Sequence, residues 1–182
     1  MKTIETERLI LRDWEETDLD DFFEYAKVEG VGEMAGWPHH ENIEVSEKIL
    51  RDFIAKGDVY AIVLKENNKV IGSLRIHNRT PDTDYKADIQ REIGYVVSKA
   101  YWGLGIAPEA TKAAIRYAFE EINVDVLWCG HFTTNYQSQR VIEKSGFVFY
   151  KDGLYEAKAL NQFFAVKDYI MTKEDYKKLY TL

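Results

Sequence analysis

The sequence predicts a single α/β domain over residues 1–182, built on a mixed, mostly antiparallel sheet with helices on both faces. Three observations carry this. Strand-like and helix-like segments follow one another along all 182 residues, with no linker, low-complexity tract or internal repeat between them. The length and a hydrophobic fraction of 46% suffice for one sizeable core. Two apolar runs, 59–64 and 70–76, flank the polar turn Lys65-Glu66-Asn67-Asn68-Lys69, which is the pattern of an antiparallel hairpin.

The elements read in order as follows. Residues 8–14 alternate as a strand. Thr17-Asp18-Leu19-Asp20 has the form of a capping-box start, and Phe22, Phe23 and Tyr25 supply the apolar face of the helix behind it. The acids Glu15, Glu16, Asp18, Asp20 and Asp21 form either a cation-binding surface or a solvated helix N-terminus; the helix dipole favours the second. A loop over 30–42 carries Trp37-Pro38-His39-His40. A helix over 43–56 places Val45, Ile49, Leu50 and Phe53 at helical spacing. After the hairpin, 78–88 is a polar loop and 88–98 a strand. A helix over 109–122, a strand over 124–132 and a helix from Asn135 to Lys144, stopped by Gly146, come next. Strands over 147–150 and 160–171 and a short C-terminal helix from Thr172 complete the chain.

Charge and composition exclude several classes. The formal net charge of -7 argues against nucleic acid and anionic membranes as partners, since both select clustered positive charge. No apolar run approaches the ~18 residues of a membrane span. The lone cysteine, Cys129, excludes an intramolecular disulfide framework. The first residues contain no apolar signal region, so the expected compartment is the cytoplasm. His39 and His40 are adjacent, which suits a closed metal site poorly, and no Cys/His/Asp cluster accompanies them; no metal is expected.

The segment with the most chemical content is Glu92-Ile93-Gly94-Tyr95-Val96-Val97-Ser98, followed by Trp102-Gly103-Leu104-Gly105-Ile106-Ala107-Pro108. It reads as strand, glycine turn and helix start. Glycines let the backbone turn tightly and leave room for a close approach. Pro108 suits a first helical turn. Free N–H groups and the helix dipole then converge on one point, an anion site suited to a phosphate. A dinucleotide fingerprint wants a third glycine where Pro108 stands, and a P-loop wants Gly-Lys-Ser/Thr; neither is present.

Further on, Asn135-Tyr136-Gln137-Ser138 opens a helix that ends in Lys144-Ser145-Gly146-Phe147. The two motifs, in this order, resemble the GNAT superfamily of acetyl-CoA-dependent N-acetyltransferases. Trp102 to Ala107 is similar to the family's Gln/Arg-x-x-Gly-x-Gly/Ala turn except at its first position. Asn135, Ser138, Lys144, Gly146 and Phe147 are similar to its second motif. Thr6-Glu7-Arg8-Leu9-Ile10-Leu11-Arg12, Trp37-Pro38 and Tyr169-Ile170-Met171-Thr172 resemble the RimJ/RimL-like branch, which acetylates ribosomal-protein N-termini.

The resemblance implies a GNAT-like fold and acetyl-CoA as co-substrate. It puts the pyrophosphate on Trp102, Gly103, Leu104, Gly105, Ile106 and Ala107. The pantetheine arm lies along Tyr95, Val96 and Val97 as an added strand, and Asn135, Ser138 and Lys144 contact the cofactor. Trp37, His39 and the 78–88 loop would form the acceptor pocket. The acceptor is a primary amine, either a peptide N-terminus or a small molecule, and the protein a monomer or homodimer. Glu92 is the candidate base and acceptor contact; it reads equally as a strand carboxylate paired with Arg91, Arg75 or another cation. Ser138 and Tyr136 are candidates to protonate the leaving thiolate, with capping as the alternative role of Ser138. Cys129 and His131 share a strand face, so a Cys–His nucleophilic pair is formally open against a buried structural cysteine. A catalytically inactive acyl-CoA sensor is the competing reading of the whole chain.

Overall fold

The computed structural model describes residues 1–78, 81 and 83–181. One eight-stranded sheet runs in the order β1-β2-β3-β4-β5-β6-β8-β7. Its strands are β1 (Ile4–Glu5), β2 (Leu9–Arg12), β3 (Val59–Leu64), β4 (Lys69–His77), β5 (Gln90–Val97), β6 (Val126–Phe132), β7 (Val148–Ala157) and β8 (Gln162–Thr172). The helices are α1 (Leu19–Ala26), α2 (Ile43–Lys56), α3 (Ile106–Glu120), α4 (Tyr136–Lys144) and α5 (Lys173–Tyr180). All neighbouring strands are antiparallel except β5 and β6. This is the mixed, mostly antiparallel α/β fold that the strand and turn pattern predicts.

The sheet separates two cores. On one face Trp14, Phe22, Tyr25, Leu50, Val59 and Val63 pack with α1 and α2. On the other, Ile62, Ile71, Leu74, Ile93 and Leu127 pack under α3 and α5. Ala110, Ala114 and Ala118 fall at i, i+4 and i+8 on α3 and are fully buried, so the helix axis lies close against the strands. β3 is buried along its whole length, as a central strand covered on both faces must be.

Several elements differ from the sequence reading in extent. Helix α3 starts three residues earlier than expected, because Gly105 (φ +78°) serves as its N-cap and Pro108 lies inside the first turn. The capping box falls on Glu15 and Asp18, opening a short 3-10 turn that runs into α1. Asp18 is buried there and takes both terminal nitrogens of Arg12 at 2.8 and 2.9 Å, so its cation is internal. β7 continues through the charged stretch 151–157, which reads as loop. It is an edge strand with one face open to water, and its pairing with β8 shifts register between Phe149 and Lys151. The two-residue β1 was not visible in the pattern.

Gly72 shows how tightly β4 and β5 are fitted. A Cβ there would stand 2.3 Å from the Val96 carbonyl oxygen and 3.1 Å from the Val97 Cα. Gly72→Ala therefore forces β5 to move, and overpacking of this kind costs about 1–3 kcal/mol. The expected result is a lowered melting temperature in thermal unfolding; an unchanged one would mean that β5 yields freely.

Candidate active site

The pairing of β5 with β6 covers only Gln90↔Val126 to Ile93↔Cys129. Beyond this point β5 stays on β4 as far as Gly72↔Val97, and β6 stays on β8 as far as Phe132↔Val166. The two strands diverge and open a cleft. The Ser98 N–H donates to the Ile71 carbonyl at 2.7 Å, which fixes the alternation along β5. The peptide groups of Ile93, Tyr95 and Val97 consequently turn toward β6, and those of Tyr95 and Val97 face the opening. A cavity of about 810 Å³ occupies it, lined among others by Glu92 to Val97, Trp102, Gly103, Gly105 to Pro108, Asn135, Ser138 and Lys144.

The glycine turn lies at one end of this cleft. Gly103 and Gly105 both have φ near +80°, a conformation in which a side chain is strained. The N-terminus of the 15-residue α3 follows directly, so its first N–H groups and its dipole act at the cleft wall. The opening segment of the chain braces this turn. Thr6 Oγ1 and the Arg8 N–H donate to Glu109 Oε1 at 2.6 and 2.9 Å, Arg8 Nε donates to Oε2 at 2.7 Å, and Arg8 Nη1 donates to the Leu104 carbonyl at 2.9 Å. These bonds outweigh the effect of burial on Glu109 and hold its carboxyl below the usual carboxylate value. The Trp102 indole N–H donates to the Val97 carbonyl at 2.8 Å, tying the turn back to β5.

On the other wall, Asn135 caps α4. Its Oδ1 accepts from the Ser138 N–H at 3.1 Å, while Nδ2 donates to the Met34 carbonyl at 3.4 Å and so reaches the 30–40 loop. Ser138 Oγ lies 2.9 Å from Tyr95 Oη. Tyr136 projects into solvent at 68% exposure and is outside the cavity lining, as is Leu104 at 57%. Of the two candidates for the leaving-group side, Ser138 is the one facing the cleft.

Glu92 lies on the α1/α2 side of β5 and is 6% exposed. The His77 ring lies beside it, with Nε2 3.6 Å from Oε2, directly across the β4–β5 ladder. Arg75 instead pairs with Asp58, and Arg91 donates to the Gln90 carbonyl. Trp37 lines the cavity. His39 is tied to Glu33 instead, with Nδ1 2.9 Å from Oε1, and that bond raises its pKa above the usual 6.5. Burial opposes ionisation of Glu33, but bonds from the His39 ring and N–H and from the Gly30 N–H prevail and pull it down to about 2. Of the expected acceptor loop, Arg79, Thr80 and Asp82 lie outside the described residues.

The sequence reading missed Asp168. It lies opposite Gly130 in the middle of β8, is 6% exposed and lines the cavity. A Cβ on Gly130 would stand 3.2 Å from its Oδ1, and one on Gly153 3.0 Å from Oδ2, so both flanking strands make room for it. The available signal was an acid, next to Lys167, inside the strand-like run Val166 to Met171. Cys129 is 2% exposed; burial, reinforced by the charge of Glu92, pushes its thiol well up. His131 Nδ1 is held by the Phe132 carbonyl at 2.8 Å and Nε2 lies 3.4 Å from Tyr169 Oη, so the bonds described for the ring do not include the thiol. This opposes a thiolate nucleophile. Among the described residues, no three His, Cys, Asp or Glu side chains converge in a way that could hold a metal ion. No helix among the described residues is long and apolar enough to cross a membrane.

A cleft with open strand edges that ends at a helix N-terminus defines a protein that can take an elongated, amide-bearing anion. Residues 8–148 match the family model described as the acetyltransferase (GNAT) domain. The chain belongs to this family and is an N-acetyltransferase. It is 29% identical to the uncharacterized N-acetyltransferase p20 of Bacillus licheniformis, over 97% of this chain and 99% of the relative. The crystal structure of a GNAT-family acetyltransferase from Bacillus anthracis superposes with a TM-score of 0.80 at 23% identity, covering 95% of this chain and 99% of that one. That of ribosomal-protein-S5-alanine acetyltransferase from Vibrio fischeri superposes with 0.72 at 18% identity, covering 97% and 100%. The two structures share the fold.

Gly105→Glu places both a side chain and a negative charge at the turn. Calorimetric titration with CoA should show binding lost, whereas unchanged affinity would remove the turn from the site. Cys129→Ala should keep turnover within a few-fold of wild type; complete loss with the fold intact would restore the nucleophile.

Proposed function

We propose that the chain is one N-acetyltransferase domain over residues 1–182 that moves the acetyl group of acetyl-CoA directly to a primary amine. One observation carries this reading: the cleft left by the divergence of β5 and β6 ends at the α3 N-terminus. Its residues fit the co-substrate. The pyrophosphate sits on the N–H groups of Gly103 to Ala107, with Leu104 and Trp102 shaping the turn. The pantetheine amides pair with the Tyr95 and Val97 peptide groups as a further strand, alongside Val96. Asn135, Ser138 and Lys144 line the opposite wall. A β5 N–H at the divergence point polarises the thioester carbonyl, which strengthens its interaction as negative charge develops on the oxygen.

The acceptor enters from the α1/α2 face, where Trp37, Glu92 and Asp168 line the cavity. Glu92 takes the proton shed by the amine, directly or through a water. At pH 7 an α-amino group, with a pKa of ~7.7–8.0, is neutral about one time in ten; a lysine, at ~10.4, about once in 2,500. Lysine would need about 4–5 kcal/mol of help, at about 1.36 kcal/mol per pKa unit. An N-terminal α-amine therefore asks less of a single carboxylate. We assign the chain to the RimJ/RimL-like branch on Thr6 to Arg12, Trp37-Pro38 and Tyr169 to Thr172, with a protein N-terminus or a small amine as acceptor. The location is cytoplasmic, and the protein acts as a monomer or homodimer.

A thiol-release assay with acetyl-CoA against N-terminal peptides, polyamines, amino acids and aminoglycosides tests the reading, with a CoA-binding titration beside it. Turnover with one class is the expected result. Tight CoA binding with no turnover on any amine would favour the sensor. On the acceptor that works, Glu92→Gln should lower kcat by about 10²–10⁴-fold and remove the acidic limb of the pH–rate profile. An unchanged profile would reduce Glu92 to a strand carboxylate.

A further inference from the structure

Tyr95 was expected to matter through its backbone, as a place for pantetheine to pair. Its side chain raises a separate question. The ring leaves β5 on the α3 side, packs against the core beneath that helix, and crosses to the first turn of α4. There Oη lies 2.9 Å from Ser138 Oγ and 3.4 Å from the Ser138 carbonyl oxygen. The phenol thus spans the two walls of the cleft, because β5 carries one end and α4, which follows β6, carries the other. Both residues line the cavity.

We propose that Tyr95 is a positioning residue that aims the Ser138 hydroxyl at the sulfur of the leaving thiolate. This rests on the acetyltransferase reading given above. A serine hydroxyl rotates freely and has one proton to give. When the Tyr95 O–H donates to Ser138 Oγ, it occupies a lone pair, and the serine proton is left to point into the cleft. Asn135 holds the Ser138 main-chain N–H and so fixes the first turn of α4, while Tyr95 holds the side-chain Oγ. Burial pushes the Tyr95 hydroxyl well above its usual pKa, which keeps it a donor throughout the working pH range.

The step balances without ionising either hydroxyl. The amine nitrogen forms a bond to the carbonyl carbon, the C–S bond breaks, and its electron pair goes to sulfur. The thiolate is met by the Ser138 O–H as a hydrogen-bond donor. The proton shed by nitrogen goes to Glu92 and on to solvent, and solvent returns one proton to sulfur. Tyr95 touches none of the reacting atoms and acts through Ser138.

Tyr95→Phe keeps the ring and removes the hydroxyl. Expected is a 10- to 100-fold fall in kcat with the acetyl-CoA Kd within three-fold of wild type. The double variant Tyr95→Phe/Ser138→Ala should be no slower than Ser138→Ala alone, since the two hydroxyls act as one unit. Additive losses, or an unchanged kcat, or a loss confined to CoA affinity, would each overturn the proposal and leave Tyr95 a strut. Should Tyr95→Phe fail to fold, 3-fluorotyrosine introduced at position 95 keeps the packing and alters only the acidity; a kcat that ignores it overturns the proposal. An active wild type matched by Tyr95→Phe overturns this inference alone. A wild type that releases no CoA with any amine overturns both this inference and the reading on which it rests.

Discussion

Four residue pairs, Gln90↔Val126 to Ile93↔Cys129, join two otherwise antiparallel half-sheets. Everything functional follows from how soon that seam ends. β5 is bound to β4 from Glu92 to Val97, and β6 to β8 from Val126 to Phe132, so neither strand can bend toward the other. Sheet twist then separates them beyond Ile93 and Cys129. The result is an open pair of strand edges inside a folded protein, where such edges are normally a liability. In the proposed function, the amides of the co-substrate would satisfy them. The close fit of Gly72 beneath Val96 belongs to the same constraint, since it holds β5 to its own half of the sheet and keeps the cleft open.

Both ends of the cleft are set by interactions distant in sequence. Residues 6–8 hold Glu109 and Leu104, bridging about a hundred positions to fix the glycine turn. Asn135 reaches Met34 and thereby couples the wall of α4 to the loop over the acceptor face. That loop is further closed by Glu33 on His39 and Gly30, a carboxylate gathering donors from three residues apart on one side and six on the other. The motif residues are therefore framework as much as contact. Thr6 and Arg8 brace the glycine turn without lining the cavity, and His39 shapes the loop by way of Glu33.

How much of this was legible in the sequence depends on the range of the interaction. The glycine turn and the Asn135 cap are local patterns, and each appears where the pattern predicts. The partner of Glu92 was not readable. Arg91 and Arg75 were the natural candidates, but side-chain direction along β5 and the His77↔Glu92 register decide the matter, and both require the sheet. Asp168 was hidden for a related reason. An acid in a strand looks like a solvent-facing position until Gly130 and Gly153 are seen to flank it on either neighbouring strand. The pattern shows the start of β7 over 147–150 but not its continuation to Ala157, because an edge strand with one wet face has little apolar content to reveal it. Tyr136 and Ser138 stand two apart in one helical turn; only the placement of α4 shows that one faces water and the other the cleft.

Trp102 stands where the resembling motif carries Gln or Arg, and its environment says what the exchange does. The indole packs against the cores on both sides of the sheet and donates its N–H to the Val97 carbonyl. Val97 is the last residue of β5, and its peptide groups face the opening. The side chain that would otherwise extend to a phosphate is thus spent on fixing the angle between strand and turn. Under the proposed function, recognition of an anion at this turn would depend on main-chain N–H groups and the α3 dipole, with the guanidinium of Arg8 already engaged by Glu109 and the Leu104 carbonyl. Backbone donors cannot swing away as a long side chain can, so their geometry is only as good as the turn that presents them. Trp102 joins Arg8 in holding that turn, and it does so by gripping the same strand along which, in the proposed function, the rest of the ligand would lie.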